Sequence, residues 1–201
     1  MTGQLEVLVA EYAEYADTKA GPVRLAYHGA GDGGTPIVFV HGASCDSSYF
    51  APQFTHFARS HAVAALDLRG HGDSTRPDPA VPGAYDVGAF ADDTLAVAAA
   101  AGFDRPVVIG HSLGGLVALA CAARPDAVRA AVLVDSAPIL NERHKAFFAR
   151  TAEDIAADAN GDWRRGYIGK LLPPSDTHRR AEIITGAGAL PPAVAAATWR
   201  A

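Results

Sequence analysis

Pro106-Val107-Val108-Ile109-Gly110-His111-Ser112-Leu113-Gly114-Gly115 is the stretch on which the reading of this chain turns. Its first four residues are apolar and mostly β-branched, which predicts a short buried strand. The Ala-, Leu-, Val- and Cys-containing run from Leu113 to Ala123 predicts a helix, and Pro125 stops it. Between the two lies Gly-x-Ser-x-Gly. A sharp strand-to-helix turn of this kind, the nucleophile elbow, holds a serine hydroxyl out at the top of a parallel sheet. Glycines flank the serine because a Cβ at either place would strike neighbouring backbone. The Leu113 N–H falls at the start of the helix, where it can face a developing oxyanion. A chain with 20 glycines can produce Gly-x-Ser-x-Gly by chance. The strand before and the helix after distinguish this copy.

Two further segments stand upstream. Pro36-Ile37-Val38-Phe39-Val40-His41-Gly42-Ala43 is an apolar strand ending in His-Gly, and Asp67-Leu68-Arg69-Gly70-His71-Gly72-Asp73-Ser74 follows the next apolar run. With these three segments in this order, from about residue 22 to about residue 138, the chain resembles the α/β-hydrolase family, in particular its cap-bearing serine hydrolases. The resemblance implies an α/β fold: a doubly wound, mostly parallel sheet, incomplete on its C-terminal side, with a helical cap segment. It divides the chain into a core over residues 1–138 and a cap or lid over 139–201. It also implies Ser112 as the catalytic nucleophile and the backbone N–H groups of Ala43 and Leu113 as the oxyanion hole. His41, Gly42 and His111 are expected at the substrate pocket, although His41 and His71 also fit a role tying loops together by hydrogen bonds.

A serine hydroxyl needs a base to take its proton and an acid to orient that base. In the family the order is Ser, then Asp or Glu, then His. Asp135, at the end of the run Ala130–Val134, stands where some members carry the acid. The family histidine follows the last strand, and none of His28, His41, His56, His61, His71, His111, His144 or His178 occupies that place. The base is therefore expected beyond residue 201, this chain being the N-terminal part of a longer hydrolase or the product of a truncated reading frame. A serine at the elbow implies an acyl-enzyme, hence ester, thioester, lactone or amide substrates, or activated C–C bonds. Neither a cofactor nor a metal is required. The rival readings are a catalytically incomplete relative that binds a small apolar ligand, and an acyltransferase or perhydrolase on the same scaffold.

Composition narrows the partners. With 49% hydrophobic and 19% charged residues the chain is globular rather than disordered. A net charge of −5 argues against nucleic acid. No apolar run reaches membrane-spanning length. Two cysteines, Cys45 and Cys121, fall short of a disulfide framework and suit a reducing cytoplasm. Small-molecule acyl substrates are the expected partners.

The remaining elements read as follows. Leu5, Val7 and Val9 alternate, and Glu11–Glu14 fits a helix. Val23–Tyr27 alternates as a strand, and Gly29–Gly34 reads as a hairpin loop. Ser47–Ala58 and Asp86–Ala101 read as helices on either side of an Ala62–Leu66 strand. After Pro138 no β-branched run follows; Glu142–Asp158 and His178–Thr185 have helical patterns.

Overall fold

Ile37-Val38-Phe39-Val40 and Val63-Ala64-Ala65-Leu66 are buried at every position, so both segments must lie in a sheet covered on both faces. The computed structural model, which describes residues 10–17, 19–137, 141–175 and 179–201, places them at the centre of one. Its strands are β1 (Glu11–Asp17), β2 (Gly21–Ala30), β3 (Ile37–Val40), β4 (Val63–Leu66), β5 (Val107–His111) and β6 (Ala130–Val134), in the spatial order β1-β2-β4-β3-β5-β6. The pairs β4–β3, β3–β5 and β5–β6 are parallel, and β1–β2 and β2–β4 are antiparallel. The sheet is thus mostly parallel, as expected.

Helices α1 (Ala51–Phe57), α2 (Val87–Ala100) and α3 (Leu113–Ala122) wrap it. Side chains alternate across β3. Ile37 and Phe39 join Phe50, Phe54, Val63 and Ala65 beneath α1, whereas Val38 and Val40 face Phe90, Val97 and Val117 of α2 and α3. The sheet is therefore doubly wound. Truncating a buried phenylalanine such as Phe39 to alanine costs ~3–5 kcal/mol, because the cavity adds to the lost transfer energy.

Three expectations are corrected. Glu11–Glu14 is strand, not helix: Glu14 pairs opposite Arg24 with a 3.4 Å ion pair, and the Arg24 guanidinium lies 3.3 Å from the centre of the Tyr12 ring. Cross-strand pairs outweigh the helical preference of Glu and Ala. The segment around Gly29–Gly34 is not a hairpin, because β4 lies between β2 and β3. The segment is a crossover, and Gly31 (φ 72°) lies so close to the Ala58 and His61 carbonyls that a side chain has no room. The Ser47–Ala58 helix is a 3-10 turn over Ser47–Phe50, capped by Asp46 on the Ser48 N–H, followed by α1 with a proline in its first turn. The alternation of Leu5, Val7 and Val9 lies outside the described residues.

From Asn141 onward the described residues hold four helices and no strand: α4 (Glu142–Ala156), α5 (Asp162–Leu171), α6 (Arg180–Ala187) and α7 (Pro192–Trp199). Asn141 caps α4 by accepting from the His144 N–H at 3.0 Å. A buried Arg164–Asp158 pair (3.0 Å), with a second Arg164 bond to the Leu190 carbonyl, fastens α5 to the approach to α7. His178, where a helix was expected to begin, lies outside the described residues, and α6 starts at Arg180. Four bonds among the described residues join this segment to the first half of the chain. Arg179 donates to the Ser48 carbonyl (2.6 Å) and to the Ser48 hydroxyl (3.1 Å), the Tyr49 hydroxyl to the Ile183 carbonyl (3.1 Å), and the Trp199 indole to the Ser44 hydroxyl (3.2 Å). No helix of the described residues is long and apolar enough to cross a membrane.

Candidate active site

Ser112 ends β5 and begins α3 with φ 51° and ψ −116°, outside the regions L-residues favour. Such a conformation costs about 1–3 kcal/mol and persists only where the surroundings over-determine it. Here they do. The Ser112 N–H donates to the Val134 carbonyl at 3.0 Å, and its carbonyl accepts from the Gly115 N–H (2.9 Å) and the Ser136 hydroxyl (2.8 Å). Gly110 lies against the Gly114 backbone and Gly114 against the Val40 carbonyl, so neither position has space for a Cβ. The Ser112 side chain makes no capping bond to α3. Ser112 lines a cavity of about 260 Å³, together with Ala43, Leu113 and Leu116 from the sheet side and Lys145, Phe148, Ala149 and Thr198–Ala201 from the helical segment.

The loop carrying Ala43 is held from behind. The His41 Nε2 accepts from the Leu68 N–H (3.0 Å) and its Nδ1–H donates to the Gly42 carbonyl (2.8 Å). His71 repeats the arrangement, accepting from the Ser44 N–H (3.2 Å) and donating to the Arg69 carbonyl (3.0 Å). The rings meet edge to face, 4.8 Å apart. Burial pushes both pKa values down, that of His71 to about 3, so each ring is neutral with one donor and one acceptor. Burial opposes the ionised Asp67, yet the N–H groups of Ser47 (2.8 Å) and Asp73 (3.1 Å) hold its carboxyl below the usual range.

Arg69, fully buried, fastens the same turn to distant parts of the chain. It forms two 2.8 Å bonds to Asp93 on α2, a 2.9 Å pair with Asp17 on β1, and a bond to the Tyr15 hydroxyl, which itself donates to Asp93 at 2.6 Å.

Ser112, Leu113 and Ala43 line the same cavity. Neither the Leu113 nor the Ala43 N–H has a hydrogen-bond partner among the described residues. His41 does not belong to the cavity wall: it is 0% exposed and both its nitrogens are committed to backbone. Gly42 is also off the wall; it lies behind Ser112, where a Cβ would come within 3.0 Å of the His111 Nδ1 and 3.2 Å of the Ser112 Cβ. His111 is half-buried outside the lining, its pKa lowered by burial and partly restored by the Asp135 carboxylate. Asp135 is exposed after β6 with φ 47°. Among the described residues no histidine bonds to the Ser112 hydroxyl, and no cluster of three His, Cys, Asp or Glu could hold a metal.

The wall residues Leu116, Lys145, Phe148 and Trp199 escape sequence reasoning. Leu116 follows Leu113 by three, and Phe148 and Ala149 follow Lys145 by three and four, so each set shares a helix face. Those spacings were legible, but their target was not.

Residues 35–187 match the family model of the alpha/beta hydrolase fold. This chain belongs to that family. Its curated relatives include the 2-(acetamidomethylene)succinate hydrolase of Mesorhizobium japonicum, 31% identical over 108 residues that make up 53% of this chain and 37% of that one. Among solved structures, an esterase from Rhodococcus sp. ECU1013 superposes with a TM-score of 0.75 at 29% identity, covering 94% of this chain and 72% of that one. A hydrolase from Pseudomonas aeruginosa does so with a TM-score of 0.79 at 21% identity, covering 94% and 71%, a likeness of fold. The chain spans less than half the length of the curated relatives it matches.

Proposed function

We propose that this α/β-hydrolase chain carries the nucleophile and oxyanion half of a serine hydrolase site acting on carboxylic esters or related acyl compounds. The observation that carries the reading is Ser112: a strained residue that lines a cavity at the head of a helix. Ser112 Oγ attacks the acyl carbonyl, and the Leu113 and Ala43 N–H groups receive the oxyanion. The leaving alcohol departs with a proton, and water then releases the acyl group from the ester formed on Ser112. The proton passes through a histidine from outside the described residues, and Asp135 is available to orient it. The helices after residue 138 form a cap that supplies the outer wall of the cavity. An acyltransferase or perhydrolase would share every step up to the acyl-enzyme and differ only in what attacks it.

The test is Ser112→Ala in the protein made from its full reading frame, assayed on p-nitrophenyl butyrate. We expect a loss on the order of 10⁴-fold in kcat with the fold intact, and fluorophosphonate labelling at Ser112 alone. An alanine variant that keeps most of its activity, or a wild-type protein labelled elsewhere, overturns the reading.

A further inference from the structure

The charges around the Ser112 cavity run against those of the whole molecule. The chain carries 22 acidic and 17 basic residues, yet the charged residues lining the cavity are Lys145 and Arg200, with no Asp or Glu among them. Arg200 follows α7 and forms no ion pair among the described residues. Lys145 has one partner, Glu142, at 2.8 Å, one turn back on α4. That pair is exposed on both sides and holds the ammonium only weakly. Two of the three ammonium protons stay available for another acceptor. Among the other side chains of the wall, Ala43, Leu113, Leu116, Phe148, Ala149, Trp199 and Ala201 are apolar, and Ser112 and Thr198 carry hydroxyls. An apolar wall lowers the local dielectric and strengthens the pull of each cation on an anion. The arginine fork also matches a carboxylate in two parallel bonds.

Resting on the reading of Ser112 as nucleophile, we propose that this site takes acyl groups bearing a second, anionic carboxylate, held by Arg200 and Lys145 while the scissile carbonyl sits at Ser112. The sheet side of the cavity supplies the chemistry, and the helical segment supplies the charge selection. A cavity near 260 Å³ suits a short dicarboxylic acyl chain rather than a long fatty one.

The experiment compares mono-p-nitrophenyl glutarate, anionic at pH 7, with its neutral methyl ester. We expect kcat/KM for the anion to exceed that of the methyl ester at least 10-fold at low ionic strength. The preference should shrink in 0.5 M salt and fall several-fold in Arg200→Gln and again in Lys145→Gln. Both side chains are exposed or partly so, and a Tm within a few degrees of wild type confirms that the variants fold. A ratio of one or less, or a ratio that Arg200→Gln leaves unchanged, overturns the proposal while the Ser112 reading stands. If the wild-type protein hydrolyses neither ester, the Ser112 reading falls, and the charge selection is decided by calorimetric titration of glutarate into Ser112→Ala. Saturable binding weakened at least 10-fold by Arg200→Gln sustains it, and no saturable binding overturns it.

Discussion

The buried histidines set how the site responds to acid. His71 is neutral in the folded protein with a pKa of about 3, whereas in the unfolded chain it titrates near the ordinary ~6.5. Between these values the unfolded state binds more protons, so stability rises with pH and is lost as pH falls through that window. For one such group the slope approaches about 1.4 kcal/mol per pH unit, and His41, shifted the same way, adds to it. Urea unfolding at pH 7.5 and pH 5 should show a clearly lower midpoint at pH 5, while the His71 ring resonances stay flat over that range. A midpoint independent of pH would mean that these rings are solvated. At this scale the sequence is most informative where chemistry is local. Ser112 and its glycines follow from a five-residue spacing, and the role of His41 and His71 in tying loops follows from their place in tight turns. Lys145, Trp199 and Arg200 reach the cavity only through tertiary packing, which no local spacing encodes.

At the scale of elements, the loop after β3 is the part that function depends on and regular structure does not hold. Ser44 sits there with φ 60°, tied by its N–H to His71 and by its hydroxyl to the Trp199 indole. A glycine at position 44 tolerates that φ while removing the hydroxyl, so Ser44→Gly isolates the second tie. A hydrogen bond of this kind contributes about 0.5–1.5 kcal/mol, so a looser Ala43 loop should lower kcat roughly 2- to 10-fold. Steady-state kinetics on p-nitrophenyl butyrate check this, and a wild-type kcat would show that His71 alone suffices. Strands β3 to β6 are legible as short apolar runs that stop at His41, Asp67, Gly110 and Asp135, and helices α2 to α4 because Gly102, Pro125 and Gly161 close them. The strand at Glu11 is misread because Glu and Ala favour a helix locally, and its partner Arg24 lies across a turn. α5, which contains Gly166 and Gly169, and the Ala-rich α7 lack a clear apolar period and escape notice.

At the scale of the molecule, β6 is one of the two outer strands of the described sheet. Val132 and Val134 are each 42% exposed on it. An apolar edge with open backbone groups invites pairing with another chain. The 201-residue chain should therefore self-associate at micromolar concentration, and Val132→Lys with Val134→Lys should return it toward monomer in sedimentation velocity. A monodisperse monomer before mutation would sink this prediction. That the fold is doubly wound is legible from the alternation of strands and helices. The strand order is not, because the crossover after β2 places β4 between two strands that are neighbours in sequence.

The clasp around Arg69 also bears on how the chain comes off the ribosome. Tyr15 and Asp93 hydrogen-bond directly although 78 positions separate them, and Arg69 stands between them in sequence. At roughly 5–20 residues per second, β1 is made several seconds before the residues that anchor it. Through that interval β1 can pair with β2 but lacks the Arg69 and Asp93 that fasten it to α2. Substituting slow codons between positions 70 and 93 would lengthen the time for which the β1–β2 pair stands without the helix it is clasped to.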